Sequence, residues 1–400
     1  MADPYDAIVV GGGPGGASAA YFLGEAGRRV LVLDKHRLPR YKACGGGLSI
    51  HMLSSYFPFF FEPVIEARVG AVAFATGDGR IRMPLADDSV CTVMRDRFDE
   101  FILEHARAEV RQGLTVDRVR EYEDRVVVET KEGPVFEGRH LIGADGANSA
   151  VARSLGIREG KTTSAAIEAE VPAPPEVMRH FADALWFIFG KVRMDYLWVF
   201  PKKAHLSIGI GALRPGRGEL QTTLRRVMAR LGLSLDGVPL HGHPIPIYVR
   251  RERISTSRSL LVGDAAGLAD PLTGEGIRLA IKSGRLAAQA ILSGSLHRYP
   301  ALVHQQIGRS HSLGLTLAWL FYHFPRFCLL FGAPNPFVTS AFAEMLADRA
   351  GYPEAVCRSS EACPPFWRLK GRHRWRALLP GRIASTVSGG QSTPSVLATN

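Results

Sequence analysis

Cysteine is scarce in this sequence. The 400 residues contain five, at positions 44, 91, 328, 357 and 363. These spacings do not give the paired cysteines of a zinc site, and an odd number is a poor basis for a disulfide framework. We therefore expect no metal centre, and we expect reduced thiols, as in a cytoplasmic protein.

Long apolar runs are also lacking. Residues 313–331 are mostly apolar, but His323, Pro325 and Arg326 interrupt them. A transmembrane helix needs about 20 predominantly apolar residues, so we expect none here. The first residues lack the basic segment of a signal peptide, which again favours a cytoplasmic location.

Basic residues, in contrast, are abundant, and they are unevenly distributed. The formal net charge is +11, and residues 351–400 carry seven Lys or Arg against two Glu. An apolar stretch followed by a basic one is typical of peripheral contact with anionic lipid. The alternative is a C-terminal helical region with a solvated basic face. Nucleic acid is not favoured, because no binding motif accompanies the charge.

A glycine-rich turn near the start is the most informative motif. Residues 5–16 read YDAIVVGGGPGG, an apolar strand followed by Gly11, Gly13 and Gly16 in a GxGxxG pattern. The first glycine permits a tight turn, the second lets the backbone approach a pyrophosphate, and the third allows helix–strand contact. Asp34 ends the second strand, where an acid can bind ribose hydroxyls. A glycine turn without a nucleotide is the alternative interpretation.

The choice between FAD and NAD depends on residues far downstream. Residues 259–279 read SLLVGDAAGLADPLTGEGIRL, so a strand delivers Asp264, and Gly274 and Gly276 open the next helix. A second helix N-terminus and a carboxylate suit the long, extended FAD molecule. Asp145 follows a third strand, although an Asp-Gly pair alone is more often a turn. Together these segments predict FAD.

The pattern of strands predicts an α/β protein with a Rossmann-like FAD-binding domain, an inserted antiparallel sheet and C-terminal helices. Strand, helix and strand are expected over 5–34, a strand at 92–95 and a helix over 96–111. Strands follow near 115–120, 125–130 and 135–137 and before Asp145, and 70–83 is expected to form a hairpin. The predicted domains are 1–60, 92–162 and 255–295 for FAD, 61–91 and 163–254 for the sheet, 296–380 for helices and 381–400 for a disordered tail.

These motifs together resemble the flavoproteins that include aromatic hydroxylases and geranylgeranyl reductases. Two segments resemble the reductases specifically: YKACGG at 41–46 and YLWVFP at 196–201, which matches the family's YxWxFP. The residues before Tyr196 are Arg, Met and Asp rather than the usual Pro or Gly, which bears on the shape of the pocket. The resemblance covers roughly residues 5 to 295.

The resemblance implies a set of FAD contacts. Arg95 is expected near the phosphate or ribose, and the backbone of Val119 near the adenine, although Arg95 could also be a surface residue that starts a helix. The full expected set is Gly11, Gly13, Pro14, Gly15, Gly16, Asp34, Lys35, Cys44, Gly45, Gly47, Arg95, Val119, Asp145, Asp264, Gly274, Gly276 and Ile277.

The inserted sheet is expected to form the substrate wall. Alternate residues of a strand share a face, so Tyr196, Trp198 and Phe200 should project together, beside a row of Leu185, Phe187 and Phe189. An aromatic stripe of this kind is often ordinary core, but the match to the reductase motif favours a pocket for an isoprenoid chain.

The resemblance implies reduction of an isoprenoid C=C bond in a lipid, quinone or pigment tail. Reduced flavin gives a hydride to one carbon, and a positioned acid must protonate the other. Cys44 is the first candidate for this acid and Tyr196 the second. A buried free cysteine can also be a small packing residue.

Two other functions stay open at this point. A flavin monooxygenase or halogenase could use the same scaffold, although YxWxFP differs from the WxWxIP of halogenases. A non-enzymatic prenyl-chain carrier is the other, but the intact FAD motifs disfavour it. No second GxGxxG marks an electron-donor site, and the family uses NADPH or a ferredoxin.

Overall fold

The computed structural model describes residues 4–76, 79–85, 89–160, 162–190, 195–328 and 335–354. Its strands are β1 (Tyr5–Val10), β2 (Val30–Asp34), β3 (Gly47–Ser49), β4 (Ile65–Val69), β5 (Ala71–Thr76), β6 (Gly79–Pro84), β7 (Val90–Val93), β8 (Glu109–Gln112), β9 (Val116–Glu121), β10 (Val126–Thr130), β11 (Val135–Gly143), β12 (Thr163–Val171), β13 (Ala184–Phe189), β14 (Asp195–Pro201), β15 (Leu206–Ala212), β16 (His241–Pro246) and β17 (Ser259–Leu261).

The α-helices are α1 (Pro14–Glu25), α2 (Ile50–Tyr56), α3 (Arg95–Glu104), α4 (Ala150–Ser154), α5 (Pro175–Phe181), α6 (Glu219–Arg230), α7 (Gly263–Ala266), α8 (Ile277–Leu292), α9 (Tyr299–Val303), α10 (Arg309–His323), α11 (Pro325–Phe327) and α12 (Pro336–Leu346). Short 3-10 turns cover Glu62–Val64 and Leu296–Arg298, and a π-helical turn covers His304–Gly308.

The first sheet has the order β8-β2-β1-β11-β10-β9, with β17 beside β11. Strand β1 pairs in parallel with β2 on one side and with β11 on the other. Strands β2 and β8 thus lie on one side of β1, and the later strands β9, β10 and β11 lie on its other side. Ligands of such sheets bind where the strand order reverses, outside the carboxyl ends of the strands. Gly11, Asp34 and Asp145 all follow or end strands at this edge, as the sequence predicted.

The second sheet has the order β16-β12-β15-β14-β13-β5-β6. It is antiparallel except where β13 pairs in parallel with β5, and most of it lies in the chain between β11 and β17. The expected hairpin is present as β5 and β6. One face packs on α5 and α6 around Leu197, Ile208 and Leu224. The opposite face carries Trp198 and Phe200.

A small third sheet has the order β3-β7-β4, and its first strand directly follows the Cys-Gly-Gly turn. Strand β3 begins at Gly47 and pairs antiparallel with β7. The Cys-Gly-Gly turn therefore lies between the end of one sheet and the aromatic face of another.

Two predicted boundaries are wrong. The helix expected to run to residue 111 ends at Glu104, and residues 109–112 form β8, which pairs in parallel with β2. Pairing with an apolar strand outweighs the helical propensity of that short segment. The strands expected separately at 135–137 and before Asp145 are one strand, β11, because its first half pairs with β10 and its second half with β1 and β17.

The division into domains stays a prediction, and the tail at 381–400 lies outside the described residues.

Candidate functional site

A cavity of about 740 Å³ joins the two sheets. It extends from the glycine turn after β1 to the aromatic face of the second sheet. Most of the predicted site residues line it: Gly11, Gly13, Pro14, Gly15, Asp34, Lys35, Cys44, Gly45, Gly47, Arg95, Asp145, Tyr196, Trp198, Phe200, Asp264, Gly274, Gly276 and Ile277. The structure therefore brings most of the predicted residues together in one cavity.

The three motif glycines differ in what surrounds them. A Cβ on Gly16 would lie 1.9 Å from the carbonyl oxygen of Gly11, so this glycine allows α1 to pack against the turn. Gly11 has a φ of 104°, and a Cβ there would lie 2.4 Å from the carbonyl oxygen of Ala144. Gly13 lines the cavity and is less crowded, since the nearest atom to a Cβ there would be a nitrogen of Arg40 at 3.8 Å, an ordinary contact distance. Gly13 is therefore the position at which a ligand can reach the backbone.

Asp34 lies beside the same turn. Its Oδ2 accepts a hydrogen bond from the Gly12 amide at 2.7 Å, and its Oδ1 accepts one from the His36 amide at 2.8 Å. The carboxylate is therefore fixed at the end of β2, facing the cavity next to Lys35.

Among the predicted contacts, Gly16 does not line the cavity, and neither does Val119. Val119 is buried and pairs with Val128 in the β9–β10 hairpin, away from the cavity lining. Thr115, Val116 and Asp117 form the wall there instead. The expectation for Val119 came from the resemblance, and the structure moves this wall three residues toward the N-terminus.

Asp264 lies within reach of two basic side chains. Lys42 Nζ is 3.6 Å and His243 Nε2 is 3.9 Å from its Oδ2. Burial alone would raise the pKa of Asp264, but the Lys42 ammonium and then His243 hold it well below its usual range. A permanently ionised carboxylate thus lies next to the Gly276 turn that begins α8. Neither Lys42 nor His243 could be predicted from the sequence, although Lys42 lies in the Tyr-Lys-Ala-Cys segment.

Asp145 has one carboxylate oxygen available. Its Oδ2 accepts hydrogen bonds from the amides of Ala150 and Val151 at 2.6 and 3.1 Å. Its Oδ1 is buried and has no hydrogen-bond partner in the described part of the chain. Burial raises the pKa of this carboxyl group. The free oxygen is an acceptor that a bound hydroxyl could satisfy.

Arg95 is not a surface residue. It begins α3 but is 4% exposed, and its guanidinium donates two hydrogen bonds of 2.8 Å to Asp99. Arg40 binds the same carboxylate at 3.0 Å. Cys44 lies close enough to Arg95 to raise the pKa of its guanidinium, after the larger effect of Asp99, so the cysteine lies near a fixed positive charge.

The Cys-Gly-Gly turn is held by a buried lysine and by aromatic rings. Lys202 Nζ donates to the carbonyl oxygens of Gly45 and Val93 at 2.9 and 2.7 Å. A Cβ on Gly45 would lie 2.8 Å from the Phe200 ring and 3.0 Å from the Trp198 indole nitrogen. The turn therefore presses directly on the aromatic wall.

The wall has the predicted arrangement. In the pairing of β13 with β14, Phe187 lies opposite Trp198 and Phe189 opposite Tyr196. The Phe187 ring contacts those of Tyr196 and Phe200, with centroids 5.5 and 5.3 Å apart. Trp186 points to the other face, where it packs on Phe181, as expected.

The Trp198 indole lies flat over Gly209, where a Cβ would be 2.1 Å from the ring. The indole nitrogen is buried without a hydrogen-bond partner among the described residues. Tyr196 donates its hydroxyl hydrogen to the carbonyl of Thr273. Burial, and then the nearby Cys44, raise the pKa of the Tyr196 phenol, so it stays protonated.

Helices near the C-terminus cover the wall, which the sequence did not reveal. Phe342 of α12 packs on Phe74, with ring centroids 6.1 Å apart, and lines the cavity together with Leu346. Phe321 of α10 contacts Phe189 at 4.6 Å. Phe342 and Leu346 thus form part of the apolar half of the cavity. A sequence pattern cannot indicate which face of a helix meets a distant sheet.

Buried polar contacts fix this cover to the loop before α8. Tyr352 donates to Asp270 at 3.0 Å, and the same Asp270 oxygen accepts from the amide of Thr273 at 2.9 Å. Asp348, just after α12, accepts from Arg278 at 2.7 Å. The loop that contacts Tyr196 is thus connected to the helices that close the pocket.

Among the residues that the structure describes, no cluster of three or more His, Cys, Asp or Glu side chains is placed to bind a metal ion. No helix among these residues has the length and apolar character needed to cross a bilayer.

Comparison with known proteins identifies the family. The FAD binding domain model matches residues 4–293. Geranylgeranyl diphosphate reductase of Rhodobacter capsulatus is 32% identical over 72% of this chain and 75% of its own length. Menaquinone reductase of Mycobacterium tuberculosis is 29% identical over 81% of this chain and 86% of its own.

A solved structure supports the fold. The geranylgeranyl bacteriochlorophyll reductase-like protein of Thermoplasma acidophilum superposes with a TM-score of 0.72 at 23% identity, covering 89% of this chain and 96% of that one. The predicted fold class and the predicted FAD cofactor are confirmed. The chain belongs to the geranylgeranyl reductase family of FAD-dependent oxidoreductases.

Proposed function

We propose that this protein hydrogenates isoprenoid C=C bonds in the tail of a prenylated lipid, quinone or pigment. The observation that carries this proposal is one cavity that joins two parts at the Cys44 turn. One part is the cradle formed by the glycine turn, Asp34, Asp145 and Asp264, and the other is the aromatic wall. The relatives named for geranylgeranyl and menaquinone reduction support it. A gene deletion followed by mass spectrometry of lipid and quinone extracts tests it, because each reduced double bond adds two hydrogen atoms.

The residues of the cradle fit FAD. The N-terminus of α1 and the uncrowded backbone of Gly13 at the cavity suit the pyrophosphate. Asp34 and Lys35 would hold the ribose, and Asp145 and Asp264 would accept hydrogen bonds from hydroxyl groups of the cofactor. Further expected contacts are Gly11, Pro14, Gly15, Gly16, Cys44, Gly45, Gly47, Arg95, Gly274, Gly276 and Ile277. When bound and reduced, FAD supplies the hydride.

The electron donor that reduces the flavin is, in this proposal, NADPH or a ferredoxin. Anaerobic mixing of the oxidised protein with each donor, followed by the loss of flavin absorbance, distinguishes the two.

The chain's own residues orient the alkene, exclude water and deliver the proton. Trp198, Phe200 and Tyr196 form the wall for the prenyl chain, whose burial contributes ~25 cal/mol per Å². An isolated alkene has no polarising group, so a positioned acid in a dry pocket is needed. Cys44 is the proposed acid, since it lies where the cradle and the pocket join. Tyr196 is the second candidate, although its hydroxyl is engaged by Thr273.

Trp198→Ala should weaken the binding of long prenyl substrates more than that of short ones. The indole provides buried contact area along the chain, and a short substrate does not use all of it. Apparent Kd values for a series of prenyl lengths measure the effect. Trp186→Ala is the matched control, because Trp186 lies in the same sheet but on the opposite face. A similar length dependence in the control would contradict the assignment of the wall.

Membrane contact is part of the proposal and rests on exposed aromatic residues near the pocket cover. Trp319, Phe324 and Phe327 are 43%, 53% and 57% exposed at the end of α10 and in α11. An exposed apolar patch of this kind is typical of a binding surface, and a lipid substrate must enter from a bilayer. Most of the basic C-terminal region lies outside the described residues.

The triple variant Trp319→Ser, Phe324→Ser, Phe327→Ser should bind anionic vesicles at least tenfold more weakly. Insertion of one large apolar side chain is worth ~1.5–3 kcal/mol, and ~1.4 kcal/mol corresponds to a factor of ten. Vesicle co-sedimentation measures binding, and the flavin content should be unchanged. Tyr122→Ser is the control, since Tyr122 is also 43% exposed but lies between β9 and β10. Equal binding by the triple variant and the parent would rule out this surface.

A further inference from the structure

The loop between α7 and α8 (residues 267–276, the cofactor loop) touches both parts of the cavity. Its last four residues line the cavity. On one side, the Thr273 carbonyl accepts the hydroxyl hydrogen of Tyr196 in the aromatic wall. On the other side, a Cβ on Gly276 would lie 3.4 Å from Asp264 Oδ1. Because both glycines among these last four residues are proposed FAD contacts, the position of the loop matters for the cofactor and for the wall.

A buried aspartate fixes the loop from within. The Oδ1 of Asp270 accepts hydrogen bonds from the amides of Leu272 and Thr273, both at 2.9 Å. The Asp270 amide donates to the Glu275 carbonyl at 2.9 Å, and its carbonyl accepts from the Gly274 amide at 3.0 Å. The conformation of the cofactor loop therefore depends on the orientation of one carboxylate.

The side chain that holds this carboxylate from outside the loop follows α12. Tyr352 donates its hydroxyl hydrogen to the same Oδ1 of Asp270 at 3.0 Å. Tyr352 is buried and is itself fixed by α10, since its amide donates to the Ser310 hydroxyl at 2.9 Å and a Cβ on Gly314 would lie 2.8 Å from its ring. The other oxygen of Asp270 lies 3.6 Å from His311 Nδ1, also on α10. The C-terminal helices thus supply the outer contacts of Asp270.

A second set of contacts joins the same region to the loop. Asp348 accepts hydrogen bonds from Arg278 at 2.7 Å, from Lys282 at 3.0 Å and from Tyr56 at 2.7 Å. Arg278 also donates to the Glu275 carboxylate through two nitrogens, at 3.0 and 3.1 Å. Glu275 belongs to the cofactor loop, so Asp348 reaches this loop through one arginine.

These two residues lie outside the FAD-binding part of the chain. Asp348 and Tyr352 come more than fifty residues after position 293, where the match to the FAD binding domain ends. They directly follow α12, whose Phe342 and Leu346 line the apolar half of the cavity. The helix that borders the prenyl pocket is therefore continuous with the segment that holds the cofactor loop.

We propose that Tyr352 and Asp348 are positioning residues for the cofactor loop, and that the retention of FAD depends on them. They hold Gly274 and Gly276 at the place where FAD is proposed to bind. A prenyl chain that packs on Phe342 stabilises the docked C-terminal helices, so by thermodynamic linkage it also slows the release of FAD. This inference rests on the proposed function, in particular on the placement of FAD beside the two glycines.

Tyr352→Phe should fold like the parent but release FAD about tenfold faster. The variant keeps the ring that packs on Gly314 and loses one hydrogen bond to a charged acceptor, which is stronger than a hydrogen bond between neutral groups. The recovery of free-flavin fluorescence after dilution of the oxidised holoenzyme measures release. Asp348→Asn should also release FAD faster, because it weakens the second set of contacts.

Tyr299→Phe is the matched control. Tyr299 is also buried, and its hydroxyl donates to the Leu261 carbonyl at 2.7 Å rather than to the cofactor loop. This variant should lower the Tm, as the loss of any buried hydrogen bond does, without faster release of FAD. The comparison separates a positioning role from a general loss of stability.

Geranylgeraniol added to the oxidised holoenzyme gives a readout that a merely structural role would not change. It should slow the release of FAD from the parent, and this effect should be smaller in Tyr352→Phe. Release at the parent rate by Tyr352→Phe would overturn the inference, as would an equal response of both proteins to geranylgeraniol. A parent that retains FAD but reduces no prenyl substrate would instead overturn the proposed function, and the release rates would still test the positioning role.

Discussion

Gly13→Val is expected to fold like the parent and to lose its FAD. The φ and ψ of Gly13 are −72° and 179°, an extended conformation that any residue adopts. An added Cβ would lie 3.8 Å from its nearest neighbour, so the protein itself has room for a side chain. The part of the cavity next to Gly13, at the N-terminus of α1, is the place proposed for the pyrophosphate. A valine there would occupy the space of the ligand and leave the core intact.

Flavin absorbance per protein after purification measures the loss, which should exceed ~tenfold, equivalent to ~1.4 kcal/mol of binding free energy. Circular dichroism should show unchanged secondary structure. Gly70→Val is the control, because a Cβ at Gly70 meets no atom within 4 Å and Gly70 lies outside the cavity lining. Gly16→Val should fail differently, by unfolding, since its side chain would collide with the Gly11 carbonyl. Full flavin occupancy in Gly13→Val would contradict the placement of the pyrophosphate.

The sequence was sufficient for the features that local chemistry determines. A strand followed by glycines at fixed spacing has few other uses, so the cradle and Asp34 could be predicted from neighbouring residues alone. The side-chain alternation of β13 and β14 likewise follows from the period of two in a strand. These predictions required no knowledge of which helices and strands pack against each other.

The remaining features depend on contacts between distant parts of the chain. Asp270 is an unremarkable acid in a loop until Tyr352, 82 residues away, lies against it. Lys42 acquires a role only because the turn after β2 meets the strand end at Asp264. Phe342 belongs to the cavity only because α12 folds back over the second sheet. Sequence periodicity identifies the buried face of an element but not its partner.

The second large effect is expected at Cys44, because of where its turn lies. Arg95 lies near its side chain, Lys202 holds the following carbonyl, and the Phe200 ring packs against the next residue. The last two contacts restrict the turn, so the thiol has a fixed position between the cradle and the pocket. An acid that must protonate one carbon of an alkene while hydride reaches the other needs such a fixed position.

Cys44→Ala should therefore bind FAD and accept electrons like the parent, yet reduce the alkene at least a hundredfold more slowly, since positioned acid catalysis is worth ~10²–10⁴ in rate. Single-turnover reoxidation of the reduced flavin by a prenyl substrate, in the absence of oxygen, isolates this step from flavin reduction. Cys44→Ser should fall between the two, because a hydroxyl keeps a similar volume but is a weaker acid than a thiol. Cys91→Ala is the control, as Cys91 is a buried thiol in β7 outside the cavity lining. Turnover by Cys44→Ala within a few-fold of the parent would show that the proton comes from another group. Tyr196 would then be the better candidate, and Cys44 would serve only as a packing residue in the turn.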